Sequence, residues 1–372
     1  MSELYIGLMS GTSLDGIDAA LVDFDNDSIR LVDFEFQPFS HEIKTVIQQL
    51  SKADALISLQ DYGRLDTLLG YLFAEAVHSL LAKANIQAAS INAIGSHGQT
   101  VYHAPDSILP FSLQMGDPNI IAEKTAIKTV ADFRRRDIAA KGQGAPLVPA
   151  FHQAVFGGSN KHRCIANIGG IANITVLPAS SSLVPVIGFD TGPGNTLIDQ
   201  WIQRHKHCDY DLNGVWAKTG TINYEWVTAL MKDAYFTAPA PKSTGKEYFS
   251  LDWIERQCAV DRYRPEDIQS SLCYLTAVSL CEAIKQYAPA TEQVLICGGG
   301  IHNDYLLQLI KQNLSCQVVS TEEVGIHPDH VEAMAFAWLA RQTINHLPGN
   351  LKQVTGASHA VILGGIYQGI SI

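Results

Sequence analysis

The sequence predicts an α/β protein built from two similar lobes, with a central cleft between them. Its 372 residues suit about two domains of ordinary size. Each half of the chain opens with two strand-like runs joined by a glycine-containing turn, first within residues 5–24 and again within residues 164–177. Two halves that restart in the same way suggest an ancient duplication, and a ligand cleft is expected where two lobes meet.

The first half begins with three predicted strands, and apolar and polar side chains alternate along the third of them. These strands cover residues 5–10, 17–24 and 29–36. A helix is predicted over residues 65–84, where leucines and alanines recur on one face. A short apolar strand at residues 91–95 then leads into a polar loop, residues 96–100.

The second half repeats this order. Strands are predicted over residues 164–168, 171–177, 184–189 and 294–297, and helices begin near Asn195, span 271–287 and 303–313, and follow Pro328. The predicted limits are residues 1–131 plus 351–372 for an N-terminal lobe and residues 132–350 for a C-terminal lobe. Residues 238–246, which contain prolines and a glycine, are predicted to form a mobile surface connection.

Composition excludes several classes of protein. Hydrophobic residues make up 47% and charged residues 17%, which predicts a globular chain. A formal net charge of −11 argues against nucleic-acid and anionic-membrane partners. The first residues lack the basic start of a secretory signal, and no stretch is expected to reach the length of a membrane-spanning helix, so a cytoplasmic protein is predicted. Seven scattered cysteines without a CxxC pair suit free thiols in a reducing compartment.

The turn between the first two strands is the first candidate site. Small and hydroxyl residues let the backbone approach a phosphate, and a carboxylate such as Asp15 can hold Mg²⁺. A Walker P-loop is excluded, since Ile17 and Asp18 stand where Lys and Ser or Thr are required. The alternative is a plain hairpin turn, which needs fewer polar residues. The predicted phosphate-binding residues are Gly11, Thr12, Ser13, Leu14, Asp15, Gly16, Ile17 and Asp18.

Two further turns carry candidate residues in the second half. Asp190 follows an apolar strand, so its carboxylate can accept a proton from a nucleophile near a helix N-terminus. Gly192, in the glycine-rich turn that follows, is predicted to bind ATP. The alternative role of Asp190 as a helix N-cap is disfavoured, because Asn195 is better placed for it. The glycines Gly298, Gly299 and Gly300 can let a nucleotide lie against bare backbone, although many strand-to-helix turns are also rich in glycine.

Two polar loops, residues 96–100 and 132–137, offer groups that suit a sugar and its carboxylate. The predicted sugar-binding residues are His97, Gln99, Thr100, Arg135 and Glu332. Each loop alone could be a solvated surface loop, and Glu332 could be only a favourable charge in the first turn of a helix. The thirteen histidines show no metal-ligand spacing such as HExxH, so a zinc site is not expected.

Six motifs together resemble the anhydro-N-acetylmuramic acid kinase family, and the likeness runs in order from residue 7 to about residue 355. They are Gly-Leu-Met-Ser-Gly-Thr-Ser-Leu-Asp-Gly-Ile-Asp at 7–18, Ser-His-Gly-Gln-Thr at 96–100, Asp-Phe-Arg-Arg-Arg-Asp at 132–137, Asn-Ile-Gly-Gly-Ile-Ala-Asn at 167–173, Phe-Asp-Thr-Gly-Pro-Gly-Asn at 189–195 and Cys-Gly-Gly-Gly at 297–300. The resemblance implies a two-lobed actin-like ATPase (ribonuclease H-like) fold whose cleft binds nucleotide and substrate.

The resemblance also implies an activity. Such an enzyme uses ATP and Mg²⁺ to open the 1,6-anhydro ring of 1,6-anhydro-N-acetylmuramic acid and to phosphorylate O6, giving N-acetylmuramic acid 6-phosphate and ADP in peptidoglycan recycling. By motif, residues 11–18 bind the ATP phosphates, Asp190 is the catalytic base, and residues 298–300 lie beside adenosine. The two polar loops and Glu332 face the sugar, with Arg135 preferred for its lactyl carboxylate. A homodimer is expected from the family alone.

Two alternatives use the same fold. One is an actin-like ATPase whose nucleotide state controls assembly or partner binding. The arginine-containing loops argue against it, since an assembly protein has no evident need for them. The other is a kinase for an ordinary hexose or amino sugar.

Overall fold

The computed structural model describes residues 2–11, 13–25, 28–50, 55–257 and 259–369. The strands are β1 (Glu3–Ser10), β2 (Gly16–Asp25), β3 (Ser28–Pro38), β4 (Ile91–Ala104), β5 (Phe111–Met115), β6 (Thr129–Ala131), β7 (Arg163–Ile168), β8 (Ile171–Leu177), β9 (Ile187–Pro193), β10 (Gln293–Cys297), β11 (Gln317–Ser320) and β12 (Gly365–Tyr367). The helices are α1 (His41–Leu50), α2 (Leu59–Ala84), α3 (Pro118–Thr125), α4 (Phe133–Ala139), α5 (Val148–Phe156), α6 (Thr196–Lys206), α7 (Tyr224–Leu230), α8 (Ala234–Thr237), α9 (Leu251–Gln257), α10 (Pro265–Tyr287), α11 (Asp304–Asn313), α12 (Val331–Ile344) and α13 (Lys352–Thr355).

The chain folds as two compact units. The N-terminal unit contains Met1–Phe151 and His330–Ile372, and the second unit contains His152–Asp329. The lobe limits expected from the sequence, 1–131 plus 351–372 and 132–350, stay a prediction. The compact units differ from them in grouping residues 132–151 and 330–350 with the N-terminal unit.

The N-terminal unit is built on a mixed sheet with the strand order β12-β6-β4-β1-β2-β3, and β5 pairs with β4. The first three strands form an antiparallel meander, whereas β1, β4 and β6 run parallel. Helix α2 contributes a buried apolar face to this core, with Leu69, Phe73 and Val77 inaccessible to solvent. Burial of a side chain of this size contributes about 1.5–3 kcal/mol to folding.

Helix α2 corrects one expectation from the sequence. It begins at Leu59, where Ser58 caps it by accepting from the N–H of Asp61, and its 26 residues are long and apolar enough to cross a membrane. The expectation that no stretch reaches that length is therefore wrong. Half of its most apolar window is buried inside the protein, which is also the property of a core helix packed on a sheet.

The second unit repeats the same sheet. Its strand order is β11-β10-β7-β8-β9, with β7, β8 and β9 antiparallel and with β7, β10 and β11 parallel. In both units a three-strand meander is followed by strands parallel to its first member. This is the strand order of the actin-like ATPase (ribonuclease H-like) fold, so the predicted α/β class with two similar lobes is confirmed.

Three local predictions are wrong. Residues 96–100 are not a loop, because β4 continues to Ala104 and pairs there with β5. Residues 133–137 form most of helix α4, which follows Asp132 in a left-handed conformation with φ 62°. Strand β9 continues through Pro193, so Asp190 lies within the strand rather than after it.

Candidate active site

The turn between β1 and β2 presents an open backbone. Ser13 and Asp15 are exposed, while the side chain of Leu14 is buried and its backbone has φ 61°. A Cβ at Gly11 would meet nothing closer than the Ser13 hydroxyl at 3.7 Å, so packing does not require glycine there. Gly16 differs, since a Cβ there would lie 2.2 Å from the Gln37 carbonyl oxygen. The turn thus has one glycine for sheet packing and one that leaves the backbone accessible.

The other residues of the predicted phosphate-binding segment lie as follows. Thr12 is outside the described residues. Ile17 is fully buried in β2, so its side chain belongs to the core. Asp18 is half-buried in β2 and is paired in register with Met9 of β1.

Two of the predicted sugar-binding residues on β4 hold the sheet together. The side-chain oxygen of Gln99 accepts from the Ser10 hydroxyl at 2.6 Å, and the side-chain amide nitrogen of Gln99 donates to the Thr100 backbone carbonyl at 3.1 Å. The Thr100 hydroxyl accepts from the Gln114 amide on β5 at 3.1 Å. Because Ser10 ends β1, these contacts bring the 96–100 segment beside the start of the turn at Gly11.

His97 is buried and neutral. Its Nδ1 lies 2.7 Å from the Gly98 carbonyl, and its Nε2 accepts from the Arg134 Nε at 2.9 Å. Burial lowers the pKa of His97 well below its ordinary value, and the Arg134 charge lowers that pKa further. Arg134 also donates to the Gly144 carbonyl at 2.8 Å. His97 therefore acts here as an acceptor that orients Arg134, a contact that the sequence did not reveal.

The predicted Arg135 lies on the exposed side of α4. Its guanidinium pairs with Asp132 at 3.3 Å, and its side chain is 61% exposed. Tyr367 donates to the other carboxylate oxygen of Asp132 at 2.9 Å. Arg136 is also exposed. Glu332 lies half-buried in the first turn of α12, as the sequence predicted for a helix starting after Pro328.

Asp190 lies on the outer strand of the second unit's sheet. The register of β8 and β9 shifts at this point, since Asn173 faces Asp190 while Ala172 faces Gly192, and Thr191 forms a bulge. Bulges beside active sites re-aim side chains. The Asp190 N–H donates to the Lys242 carbonyl at 3.0 Å, and an Asp190 carboxylate oxygen accepts from the Thr244 N–H at 3.0 Å.

The segment that contacts Asp190 was predicted to be a surface connection. It is irregular, as expected, but residues 242–246 are half-buried and pack against β9. The available signal was its sequence Lys-Ser-Thr-Gly-Lys at 242–246, whose polar and small residues resemble those of anion-binding turns. This signal does not identify its partner, because Asp190 lies 54 positions away in the sequence.

The start of α6 is already occupied by backbone contacts. The N–H groups of Gly194, Asn195 and Thr196 donate to the carbonyls of Gly169 and Gly170 at 2.8–3.0 Å. Asn195 is at the N-cap position, as predicted, but its side chain donates to the Ile168 carbonyl instead of capping the helix. These three amides therefore do not point at a phosphate. At Gly192 a Cβ would lie 2.8 Å from the Phe236 ring, so this glycine is needed for packing.

The glycine turn after β10 has one open member. A Cβ at Gly298 would lie 2.3 Å from the Asn167 side chain, and a Cβ at Gly300 would lie 2.3 Å from the Ile168 side chain. Gly299 is exposed, and a Cβ there would meet only the Asn195 amide at 3.9 Å. The two outer glycines let the turn pack closely, whereas Gly299 leaves its backbone exposed.

The residues that could hold a divalent cation are few. Within the described ranges, the structure contains no group of three or more His, Cys, Asp or Glu side chains arranged to bind a metal. Mg²⁺ in phosphoryl-transfer sites is bound by one or two carboxylates together with substrate phosphates, so such a group is not required. Asp15, an exposed oxygen donor on the open turn, fits that role chemically.

The chain is similar over almost its whole length to kinases of one family. The family model described as "Anhydro-N-acetylmuramic acid kinase" matches residues 3–369. The protein of that name from Saccharophagus degradans is 50% identical over 372 residues, covering 98% of both chains. Those from Photobacterium profundum and Xylella fastidiosa are 48% and 47% identical, each over 98% of this chain, and are covered over 98% and 96% of their own lengths.

Proposed function

The chain belongs to the anhydro-N-acetylmuramic acid kinase family, and on that premise we propose how its residues open and phosphorylate the bridged sugar. The observation that carries the proposal is the family match over residues 3–369, which spans every candidate site residue. The protein is a kinase that uses ATP on a small-molecule sugar. The alternative of an ATPase that controls assembly is not favoured by any described contact.

Asp190 is the proposed base. A bridged sugar has no free 6-hydroxyl, so its C1–O6 bond must break before O6 can attack phosphorus. Asp190 takes a proton from water while the water oxygen bonds to C1, and the departing O6 bonds to the γ-phosphorus of ATP as ADP leaves. The water supplies the new C1 hydroxyl, and its other proton ends on Asp190. One carboxylate thus serves both ring opening and transfer.

The open turn at residues 11–15 is proposed to bind the phosphates of ATP. Gly11 leaves the backbone accessible and Ser13 offers an exposed hydroxyl. Asp15, together with the ATP phosphates, would hold Mg²⁺, which would supply neutralisation of the charge on the transferred group. Gly299 is proposed to lie beside the adenosine, since it is the open member of the second glycine turn.

The sugar side is proposed to comprise His97, Gln99, Thr100, Arg135 and Glu332. Within this set, the buried His97 and Gln99 shape the site through their bonds to Arg134 and Ser10. Arg135 is proposed to bind the lactyl carboxylate, because a guanidinium binds a carboxylate through two parallel hydrogen bonds. Its exposed position and its pairing with Asp132 leave it on an accessible face of α4.

A comparison of three sugars tests the activity. Purified enzyme with ATP and Mg²⁺ is offered 1,6-anhydro-N-acetylmuramic acid, open-ring N-acetylmuramic acid and glucose. We expect a sugar phosphate and ADP in equal amounts from the anhydro sugar, with far lower kcat/KM for the other two. ATP hydrolysis without any sugar phosphate would instead favour the assembly ATPase, and preference for glucose would favour an ordinary hexose kinase.

An isotope experiment tests the order of bonds. In ¹⁸O water, the label should enter the C1 hydroxyl and be absent from the sugar phosphate group. The reaction must be quenched early, because the free product anomerises and exchanges that hydroxyl. Label in the transferred phosphate would mean that water attacks phosphorus, which contradicts the coupled mechanism.

Two broader expectations are proposals of the same kind. The protein is proposed to act in the cytoplasm in peptidoglycan recycling, and to do so as a homodimer. Light scattering coupled to size-exclusion chromatography checks the second point, since a monomer has a mass of 40.5 kDa.

A further inference from the structure

Asp190 is held by more contacts than its place in a strand requires. In an antiparallel pair, every second residue of the outer strand directs its N–H and C=O away from the sheet. Asp190 does so, and both groups have partners: the N–H donates to the Lys242 carbonyl at 3.0 Å, and the carbonyl accepts from the Tyr235 hydroxyl at 2.6 Å. The Thr244 N–H donates to the side-chain carboxylate at 3.0 Å.

The partners of Asp190 are themselves fixed in place. The Lys242 ammonium donates to the carbonyls of Tyr235 and Phe236 at 2.8 and 3.2 Å and lies 4.7 Å from the centre of the Tyr235 ring. Tyr235 packs edge-on against Phe249, whose ring is fully buried. Burial, with the nearby Asp190 charge, raises the pKa of Tyr235, so its hydroxyl stays a donor.

We propose that Tyr235, Lys242 and Thr244 form an Asp190 clamp, a set of positioning residues that fixes the carboxylate where it can act as the base. The proposal rests on the catalytic role proposed above for Asp190. The hydrogen bonds from the Tyr235 hydroxyl to the Asp190 carbonyl and from the Asp190 N–H to the Lys242 carbonyl set the position of the Asp190 main chain beside the Thr191 bulge. The Thr244 N–H sets the direction of the carboxylate and favours its ionised form, which is the form that accepts a proton.

A simpler role for these residues is to cover the outer edge of β9. Coverage needs only backbone contacts along the strand and does not require a donor aimed at a side-chain carboxylate. It predicts that loss of the clamp lowers stability and leaves catalysis in the folded fraction unchanged. The clamp predicts the opposite, because displacement of a reacting group by about 1 Å can lower the rate by about 100-fold.

The first test is Tyr235→Phe with Tyr248→Phe as its matched control. Both remove a hydroxyl from the same aromatic cluster, but Tyr248 donates to Asp233 at 2.7 Å instead of to Asp190. We expect Tyr235→Phe to lower kcat by about 10- to 100-fold with the KM for ATP nearly unchanged. The Tyr248→Phe enzyme should keep the wild-type kcat. Thermal unfolding of both variants reports any general loss of structure.

A second test separates the N–H of residue 244 from its side chain. Thr244→Pro removes the N–H, whereas Thr244→Ala keeps it, so kcat should be at least about tenfold lower in the proline variant than in the alanine variant. Lys242→Met should also lower kcat, and Lys242→Arg should restore part of the loss, because a guanidinium can still donate to the two carbonyls.

The outcomes distinguish the clamp from the function on which it rests. If Asp190→Asn abolishes turnover but Tyr235→Phe keeps the full kcat, the clamp is wrong and the base stands. If Asp190→Asn itself turns over normally, both the base and the clamp are overturned. If the wild-type enzyme does not phosphorylate the anhydro sugar, the proposed function is wrong, and the wild-type assay shows this without any variant.

Discussion

The two units fold the same hairpin but use its turn differently. In the N-terminal unit, residues 11–15 join β1 to β2 with exposed Ser13 and Asp15 and an uncrowded Gly11. In the second unit, only Gly169 and Gly170 join β7 to β8, and their carbonyls accept three N–H groups from the start of α6. The first turn has accessible backbone, whereas the backbone carbonyls of the second turn are used in hydrogen bonds within the unit.

The third strands of the two units, β3 and β9, also differ, but here the second unit has the more specialised contacts. The outer strand β3 carries half-buried charged residues, and Lys83 pairs with Asp33 and Glu35 on it at 3.6 and 3.3 Å. Such charges protect an edge without building a site. The equivalent strand β9 carries Asp190, and an irregular segment covers it with contacts to the backbone and to the carboxylate. The two units therefore differ in where polar groups are exposed or specially held. In the N-terminal unit this is the turn between the first two strands, and in the second unit it is the third strand.

The largest expected effect is that of a substitution at Asp190 on β9. Asp190→Asn keeps the shape of the side chain and removes the base, so kcat should fall by roughly 100- to 10,000-fold while ATP binding, measured by calorimetry, stays close to wild type. Asp209→Asn, an exposed aspartate of the same unit, is the control and should keep full turnover. Near-normal turnover of the Asp190 variant would show that this residue is not the base. In that case β9, like β3, would carry only a structural charge.

The sequence predicted the parts of this comparison that depend on local pattern. Strand-like apolar runs and glycine turns predict both hairpins, and the motif around Asp190 is evident from the local sequence alone. The failures involve contacts between distant residues. Residues 96–100 look like a polar loop, yet the Ser10–Gln99 bond and the pairing with β5 extend the strand through them. The sequence of residues 242–246 is typical of an anion-binding turn, but nothing in it identifies the distant Asp190 as the partner.

The arginines of α4 provide a second case, in which the sequence alone does not show that neighbouring residues have different surroundings. The sequence favoured one residue of the triplet 134–136 as a sugar contact. The structure separates the three: Arg134 bonds to the buried His97, while Arg135 and Arg136 are exposed. Helical geometry causes this, since consecutive residues of a helix face different directions.

The next largest effect concerns the sugar side of the N-terminal unit. A charge-assisted hydrogen bond contributes about 1.5–3 kcal/mol, so Arg135→Gln should raise the KM for the anhydro sugar about 10- to 100-fold and leave the KM for ATP unchanged. Arg136→Gln, the exposed neighbour, is the matched control and should alter neither constant. Steady-state kinetics with each substrate varied measures both. Equal increases for sugar and ATP would indicate a structural role for Arg135 instead.

The two turns can be compared directly through their glycines. A Cβ at Gly194 would lie 2.3 Å from the Gly169 carbonyl oxygen, so Gly194→Ala should lower the free energy of unfolding by about 1–3 kcal/mol. At the uncrowded Gly11, the change to alanine should alter the free energy of unfolding by no more than about 0.5 kcal/mol and raise the KM for ATP. Denaturant unfolding and kinetics give both values. A stability loss at Gly11 equal to that at Gly194 would show that both turns are structural.

The smallest expected effect concerns the buried histidines, of which each unit has at least one. His97 accepts from Arg134 beside the proposed sugar site, whereas the Nδ1 of His152 lies 2.8 Å from the buried Thr175 hydroxyl. His152 is therefore the cleaner probe of proton uptake on unfolding. Burial lowers the pKa of His152 to about 3, compared with its ordinary value of 6.5. Between these values the unfolded chain binds more protons than the folded one, so stability rises with pH in this window and falls as the pH drops below about 6.5.

From pH 7 to pH 5.5, His152 should lower the free energy of unfolding by about 1.3 kcal/mol. His152→Gln keeps a polar group beside Thr175 but cannot gain this proton, so the variant should lose about 1.3 kcal/mol less than the wild type over that interval. Denaturant unfolding followed by tryptophan fluorescence suits the measurement, because Trp201, Trp216, Trp226 and Trp253 all lie in the second unit with His152. Comparing differences between the two pH values cancels any fixed cost of the substitution. Equal losses in the two proteins would mean that His152 gains no proton on unfolding in this range, and that its burial adds nothing to the acid sensitivity of the second unit.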